Sequence, residues 1–376
     1  MALSKVNPSL VQNFGRRNLV INGAMQVAQR GTSGTSNTSN TYHTVDRWIE
    51  EHASSINLDF AQVSGSAPSG FQKSLKCTAQ STATLGANEY IIPFEQRFER
   101  TQIDSIGLGT SEAKTFTVSF WIKSNRTGTY TVNPTLDSPS STSGQSTTKQ
   151  YTINSADTWE YKTITFPANT NASPNVGDNA KAVTLFWWML AGSNFTSGSL
   201  PSGWKTEVAN ERAVGCNNTV STGDNWQITG VQLEVGNAAT DFEHRSYGEE
   251  LSACQRYYYK ISDNNPDDAA TDEIYFPFSC VARSTSAISC FVSFPVSMRT
   301  APQSLEWSGT VGDYKWLKSG TYGVVNTGSF SHGGGTCNQS ARIDVSLSSA
   351  IFSSAGEAAL LRSVTKDAYF AWRAEL

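Results

Sequence analysis

"NWQITGVQLEVG" (Asn225–Gly236) reads as one strand with a fault in its middle. Trp226 and Ile228 share one parity, whereas Val231, Leu233 and Val235 share the other. Successive side chains of a strand face opposite sides of the sheet. A regular strand would therefore turn one of these apolar sets toward solvent. The switch falls at Gly230, where a β-bulge adds a residue and returns all five side chains to one core face. The segment is thus expected to be an antiparallel strand with one buried face.

Upstream, the same period recurs. "TFTVSFWIKS" puts Phe116, Val118, Phe120 and Ile122 on one face, opposite Thr115, Thr117 and Ser119. "DTWEYKTITFPA" is a further strand closed by Pro167. "AVTLFWWML" is apolar on both faces and predicts a central, covered strand. Turn-forming stretches such as "SNRTG", "STSGQ" and "STGDN" separate them. Several antiparallel strands at this spacing predict a β-sandwich over 46–245, most simply a jelly roll.

Downstream, the period changes. Leu251, Cys254, Tyr258 and Ile261 follow helical spacing, with Glu249 and Glu250 in the first turn, where the helix dipole favours them. A connecting helix of about four turns is expected over 246–262. Residues 263–376 then read as a C-terminal β domain of sandwich type, in which "EIYFPFSCVARSTSAISCFVSFPVSM" forms two strands around a turn near Ser284–Ser286. The chain is expected to be mostly β.

Residues 1–45 differ from the rest. Leu10, Val11, Phe14, Leu19, Val20, Ile21, Met25 and Val27 are too apolar for a free tail, and the polar run "GTSGTSNTSNT" follows them. This reads as an arm uncoupled from its own sandwich by a flexible loop. Alone it does not repay its ordering entropy, so Phe14, Leu19, Ile21 and Met25 are candidate attachment or assembly residues.

Composition narrows the function. The 376 residues carry a net charge of −4 with no basic stripe, which argues against nucleic acid as a partner. Apolar runs such as Ala182–Ala191 are about half the length of a membrane span, so no membrane insertion is expected. The first 20 residues lack a continuous apolar stretch and do not resemble a secretion signal. Six cysteines without CxxC spacing and four dispersed histidines give no metal site and imply no cofactor. The cysteines are read as reduced and mostly buried, in a chain folded in a cytoplasm.

Several stretches invite a chemical reading. Glu243, His244, Glu249 and Glu250 could hold a metal or act as an acid–base pair, but zinc motifs of this kind need two histidines on one helix face. The group is read as the polar joint between sheet and helix. In "YHTVDRW" (Tyr42–Trp48), His43 and Asp46 lack a nucleophile elbow; Trp48 is assigned to the core and Arg47 to an ion pair with an acid. Asp59, Glu95, Glu99 and Asp104 show no pairing of the kind glycoside hydrolysis requires. "SHGGGT" (Ser331–Thr336) lacks the lysine of a phosphate-binding loop. No catalytic residue is assigned. Trp204, Trp316 and Tyr322 lie in turn-rich stretches, where aromatic rings can stack on sugar faces. The alternative is that each packs against a core edge or a neighbouring subunit.

Taken together, "NLVINGAMQVAQRGT…YHTVDRW", "TVSFWIKS", "TWEYKTITFP", the run from Asn225 to Lys260 and the "FPVSMRTAP…AEL" ending resemble tailed-bacteriophage virion proteins described as tail fibre or tail-associated proteins, over nearly the whole chain. The resemblance implies a jelly roll similar to carbohydrate-binding modules, synthesis in the host cytoplasm, a place on the virion tail, and a homotrimer. It implies attachment to a tail protein through the arm and contact with host surface glycan through β-domain loops, without enzymatic activity. No shaft-forming repeat is present, so the expected form is a short fibre. A purely structural tail or head ornament, and a polysaccharide-degrading tail enzyme, are the rival readings.

Overall fold

The computed structural model describes residues 16–36, 41–137, 144–171, 176–262, 276–318, 321–324, 330–347, 350–363, 365 and 367–376. The chain divides into two compact units, Met1–Glu250 with Leu376, and Leu251–Glu375.

The first unit is an antiparallel β-sandwich of jelly-roll type, as the strand alternation predicts. Its six-stranded sheet runs in the order Ser33–Ser36, Leu58–Ser64, Lys73–Ala79, Asn225–Val235, Phe116–Ser124, Glu160–Phe166. In the eight-stranded sheet, Tyr90–Glu99, Lys181–Trp188 and Gly128–Leu136 are central neighbours. Phe94, Phe98, Phe120, Trp187 and Trp226 are 0% exposed in the core between the sheets, with Phe120 and Trp187 meeting edge to face at 5.7 Å. The apolar strand Lys181–Trp188 is covered on both sides. Leu185 and Trp187 join the main core, while Phe186 and Trp188 join a smaller cluster with Ile92, Ala191 and Ala213.

Gly230 has φ 60°, and the pairing of Asn225–Val235 with Phe116–Ser124 shifts register between Thr229 and Gln232. The added residue returns Trp226, Ile228, Val231 and Leu233 to the core at 0–1% exposure, and Val235 packs against it.

The N-terminal segment departs from the expected arm uncoupled from its own sandwich. Val20, Met25 and Val27 are 0% exposed, Ile21 is 9% exposed, and Leu19 packs against the core of its own sandwich. The Leu19 amide donates to the Leu233 carbonyl at 2.9 Å, and the Val231 amide donates to Gly23 at 2.9 Å. A Cβ at Gly23 would lie 2.1 Å from the Val231 oxygen, so only glycine permits this approach. The polar run that looked like an uncoupling loop supplies a strand, Ser33–Ser36, paired to Leu58–Ser64. Hydrophobic burial rewards the partner nearest in space, which for Leu19 and Met25 is the core of the same sandwich. Phe14 lies outside the described residues.

The joint after the sandwich accounts for most of the Glu243–Glu250 cluster. The Glu243 carboxylate accepts from the Arg17 and Asn18 amides at 3.2 and 2.7 Å. Glu250 accepts from the Asn22 amide at 2.6 Å and pairs with Arg245 at 3.1 Å. Glu249 and Ser246 form a reciprocal cap at the head of the helix Tyr247–Gln255. That helix is shorter than expected: Tyr258–Ser262 is a strand paired with Tyr369–Arg373. Tyr258 and Ile261 fit the helical period, but a tyrosine-rich run also suits a sheet, and the available partner strand decides.

The second unit has a three-stranded sheet, Tyr258–Ser262, Tyr369–Arg373 and Leu305–Trp307, and a seven-stranded sheet. Both contribute to one core containing Ile288, Tyr314, Phe370 and Trp372, all 0% exposed. Strands Ser279–Ser284 and Ala287–Ser293 pair as a hairpin that sets Cys280 directly opposite Cys290. The two form a disulfide, which corrects the reading of all six cysteines as reduced. Sequence spacing did not reveal it, because strand register brings the sulfurs together. Cys77, Cys216 and Cys254 are buried thiols outside the disulfide, and Cys337 is an exposed one. Alkylation of the denatured, unreduced chain is therefore expected to label four cysteines, rising to six after reduction. Six labelled without reductant would remove the cross-link.

Candidate functional site

The open face of the six-stranded sheet carries a cleft of about 470 Å³. Its floor follows from strand parity. Ser119 and Trp121 alternate with the core residues Val118, Phe120 and Ile122, and so point away from the core. Tyr161 is the direct cross-strand partner of Trp121; their rings are 5.3 Å apart and inclined at 47°. Tyr161 is 44% exposed, while Ser119 is 2% exposed at the base.

Two loops make the walls. One carries Ser69, Gly70 and Phe71; the other carries Ala239 to Phe242 and His244. Phe71 meets Phe242 edge to face at 5.0 Å and His244 at 5.3 Å, and Phe242 lies 4.8 Å from His244. The bulge makes this wall possible: a Cβ at Gly230 would come within 2.6 Å of the Phe71 ring. The same glycine thus restores core parity and leaves room for an aromatic wall.

The second wall is held by buried polar groups. Glu234, 2% exposed, accepts from the Thr240 amide at 2.9 Å and its hydroxyl at 2.6 Å. Gln232, 0% exposed, donates to Glu234 at 2.8 Å and accepts from the Glu243 amide at 2.9 Å. Satisfied buried networks of this kind fix loop geometry. The opposite loop is tied through Trp159, whose indole donates to the Ser66 carbonyl at 2.6 Å, with Lys123 5.1 Å over its ring.

Chemically, the cleft is lined by aromatic residues, Ser119, Thr240, His244 and the acidic residue Asp241. No group of three or more His, Cys, Asp or Glu among the described residues is placed to hold a metal ion. His43 and Asp46 sit in structural contacts. His43 stacks on Phe60 at 4.9 Å and approaches Glu50 at 3.3 Å, and Asp46 accepts from the Gln29 amide at 3.0 Å. Trp48 is in the core, and Arg47 donates to the Arg97 carbonyl at 2.6 Å. Burial pushes the Glu50 carboxyl up, but hydrogen bonds from His43, His52 and Ser36 outweigh it and hold the group below its ordinary range.

The aromatic residues singled out from sequence lie elsewhere. Trp204 is half-buried against the first core, its indole donating to the Pro167 carbonyl at 2.8 Å and its ring 6.3 Å from Phe116. Trp316 belongs to the strand Tyr314–Lys318 and is 7% exposed, packed near Phe352 at 6.2 Å. Neither is an exposed loop ring as expected: each fills a core edge. Tyr322 is in the strand Thr321–Val324, and its side chain lies outside the described residues. His244, assigned to the joint, instead lines the cleft, while its neighbours Glu243 and Arg245 face the N-terminal segment. Sequence reasoning missed Phe71, Trp121, Tyr161 and Phe242. One signal was present: Trp121 is a large aromatic ring on the Thr/Ser face of an otherwise regular strand.

Neither a family profile nor a curated protein sequence matches the chain. Among solved structures, it is similar to the enzymatically active domain of tailspike protein 4 of bacteriophage CBA120, at 13% identity and TM-score 0.31, over 58% of this chain and 21% of that one. It is similar to the family 11 carbohydrate-binding module of a Clostridium thermocellum cellulosomal cellulase, at 12% identity and TM-score 0.28, over 57% of this chain and 98% of the module. A xylan-binding domain of family 22 from Paenibacillus barcinonensis matches at 10% identity and TM-score 0.29, over 54% of this chain and 99% of that domain. The matched region thus spans about a fifth of the tailspike chain. Similarity at this level assigns no ligand, activity or partner.

Proposed function

We propose that this chain is a non-enzymatic, glycan-binding virion protein of a tailed phage, a short tail fibre that holds host surface sugar in the cleft of its first unit. The observation that carries the binding reading is the cleft itself. A Trp–Tyr floor, an aromatic wall and a few hydroxyls match the mixture of apolar faces and polar edges that a pyranose presents. Walls fixed before binding lower the ordering cost. The sequence resemblance supports the virion placement, synthesis in the host cytoplasm and a trimeric assembly. One acidic residue among the described residues of the lining fits binding better than hydrolysis, which uses two.

Trp121→Ala and Tyr161→Ala are each expected to weaken adsorption to host envelope glycan about tenfold or more, the usual loss for a central aromatic contact. Trp204→Ala is expected to lower the melting temperature without changing affinity, because its ring packs against the core. Titration calorimetry and whole-cell adsorption read these outcomes. Unchanged adsorption by both cleft variants would favour a structural ornament, and release of reducing sugar from envelope material would favour the enzyme.

A further inference from the structure

Resting on the glycan reading of the cleft, we infer that it selects uncharged sugars and that Asp241 turns acidic ones away. Among the described residues, Asp241 is the single acidic residue in the lining, and no lysine or arginine lines it. The nearby cations are engaged with other groups. Arg17 donates to the Asp241 carbonyl at 2.5 Å and faces the Glu234 carboxylate at 3.8 Å. Lys73 donates to the Gln62 side chain at 3.0 Å, and Lys123 sits over Trp159.

A uronate or sialyl carboxylate entering this cleft gives up water and meets no cation in return. Desolvating an anion without a partner is unfavourable, and Asp241 adds repulsion between like charges. A neutral pyranose meets no such penalty. Its apolar face lies against Trp121 or Tyr161, and its hydroxyls reach Ser119, Thr240 and the acceptor oxygens of Asp241. The 47° inclination between the Trp121 and Tyr161 planes also matters. Two rings at that angle do not form a flat platform. A volume of about 470 Å³ suits a short oligosaccharide segment.

The test uses the full chain on an array of matched neutral and acidic oligosaccharides, at a pH where ordinary imidazoles are uncharged. Wild type, Asp241→Asn, Asp241→Lys and Trp121→Ala are compared. Wild type is expected to bind neutral members and lose them in Trp121→Ala. Asp241→Asn is expected to raise affinity for acidic members by roughly fivefold, the upper range for one exposed charge interaction. Asp241→Lys is expected to raise it further, while neutral binding weakens because the acceptor oxygens of Asp241 are lost. Acidic glycans bound by wild type as tightly as neutral ones, in a Trp121-dependent manner, would overturn the charge selection while leaving the glycan reading intact. So would an Asp241→Lys variant whose acidic affinities do not rise. Loss of Trp121 dependence for every glycan, or no binding at all, would overturn both.

Discussion

A chain beginning at Thr44 is expected to lose the cooperative unfolding transition of its first unit. Val20, Met25 and Val27 are 0% exposed, and each such side chain contributes about 1.5–3 kcal/mol through burial. Three of them amount to roughly 5–9 kcal/mol, of the order of the whole stability of a domain. The truncation also removes the strand Ser33–Ser36 and the amides of Arg17, Asn18 and Asn22 that satisfy Glu243 and Glu250. Denaturant titration of both chains checks this. A truncated chain with the midpoint and slope of the full-length protein would make the segment dispensable. In the folded unit Leu19, Val20 and Met25 pack with the core of their own sandwich.

Gly230→Val is expected to cost the first unit about 1–3 kcal/mol for a branched residue held at positive φ, with about 1–3 kcal/mol more for displacing the Phe71 ring. The two causes separate in a double-mutant cycle. With Phe71→Ala the overlap at 2.6 Å disappears, while the φ of 60° remains. The penalty of Gly230→Val is therefore expected to fall by about half in that background. An equal penalty in both backgrounds would show that the ring yields freely. Ligand affinity should fall in Gly230→Val even where the protein stays folded, because Phe71 forms one wall of the cleft.

Much of the first unit was legible because its signals are local. Strand parity in Phe116–Ser124 and the parity switch at Gly230 depend on residues adjacent in sequence, and the structure keeps both. Glu249 and Glu250 marked the head of the helix for the same reason, and the structure has both in its first turn. The helix end was less legible, since the tyrosines after Gln255 satisfy two periods and the choice lies with Tyr369–Arg373, more than a hundred residues away. The cleft was the least legible part. Phe71, Trp121, Tyr161, Phe242 and His244 come from four separated stretches, and nothing in their spacing marks them as neighbours.

The sequence by itself determined the β-rich class, the inward face of each regular strand and the need for a bulge at Gly230, because side-chain alternation and backbone sterics act over a few residues. Only the tertiary structure decided where Leu19–Val27 are buried, which cysteines pair, and which aromatic rings are available to a ligand. Those outcomes depend on register and on close approach between distant segments: Cys280 opposite Cys290, Gly23 against Val231, Phe71 over Gly230. Burial is non-directional and takes whichever apolar surface lies near, so proximity in the fold, which spacing along the chain does not encode, selects the partner.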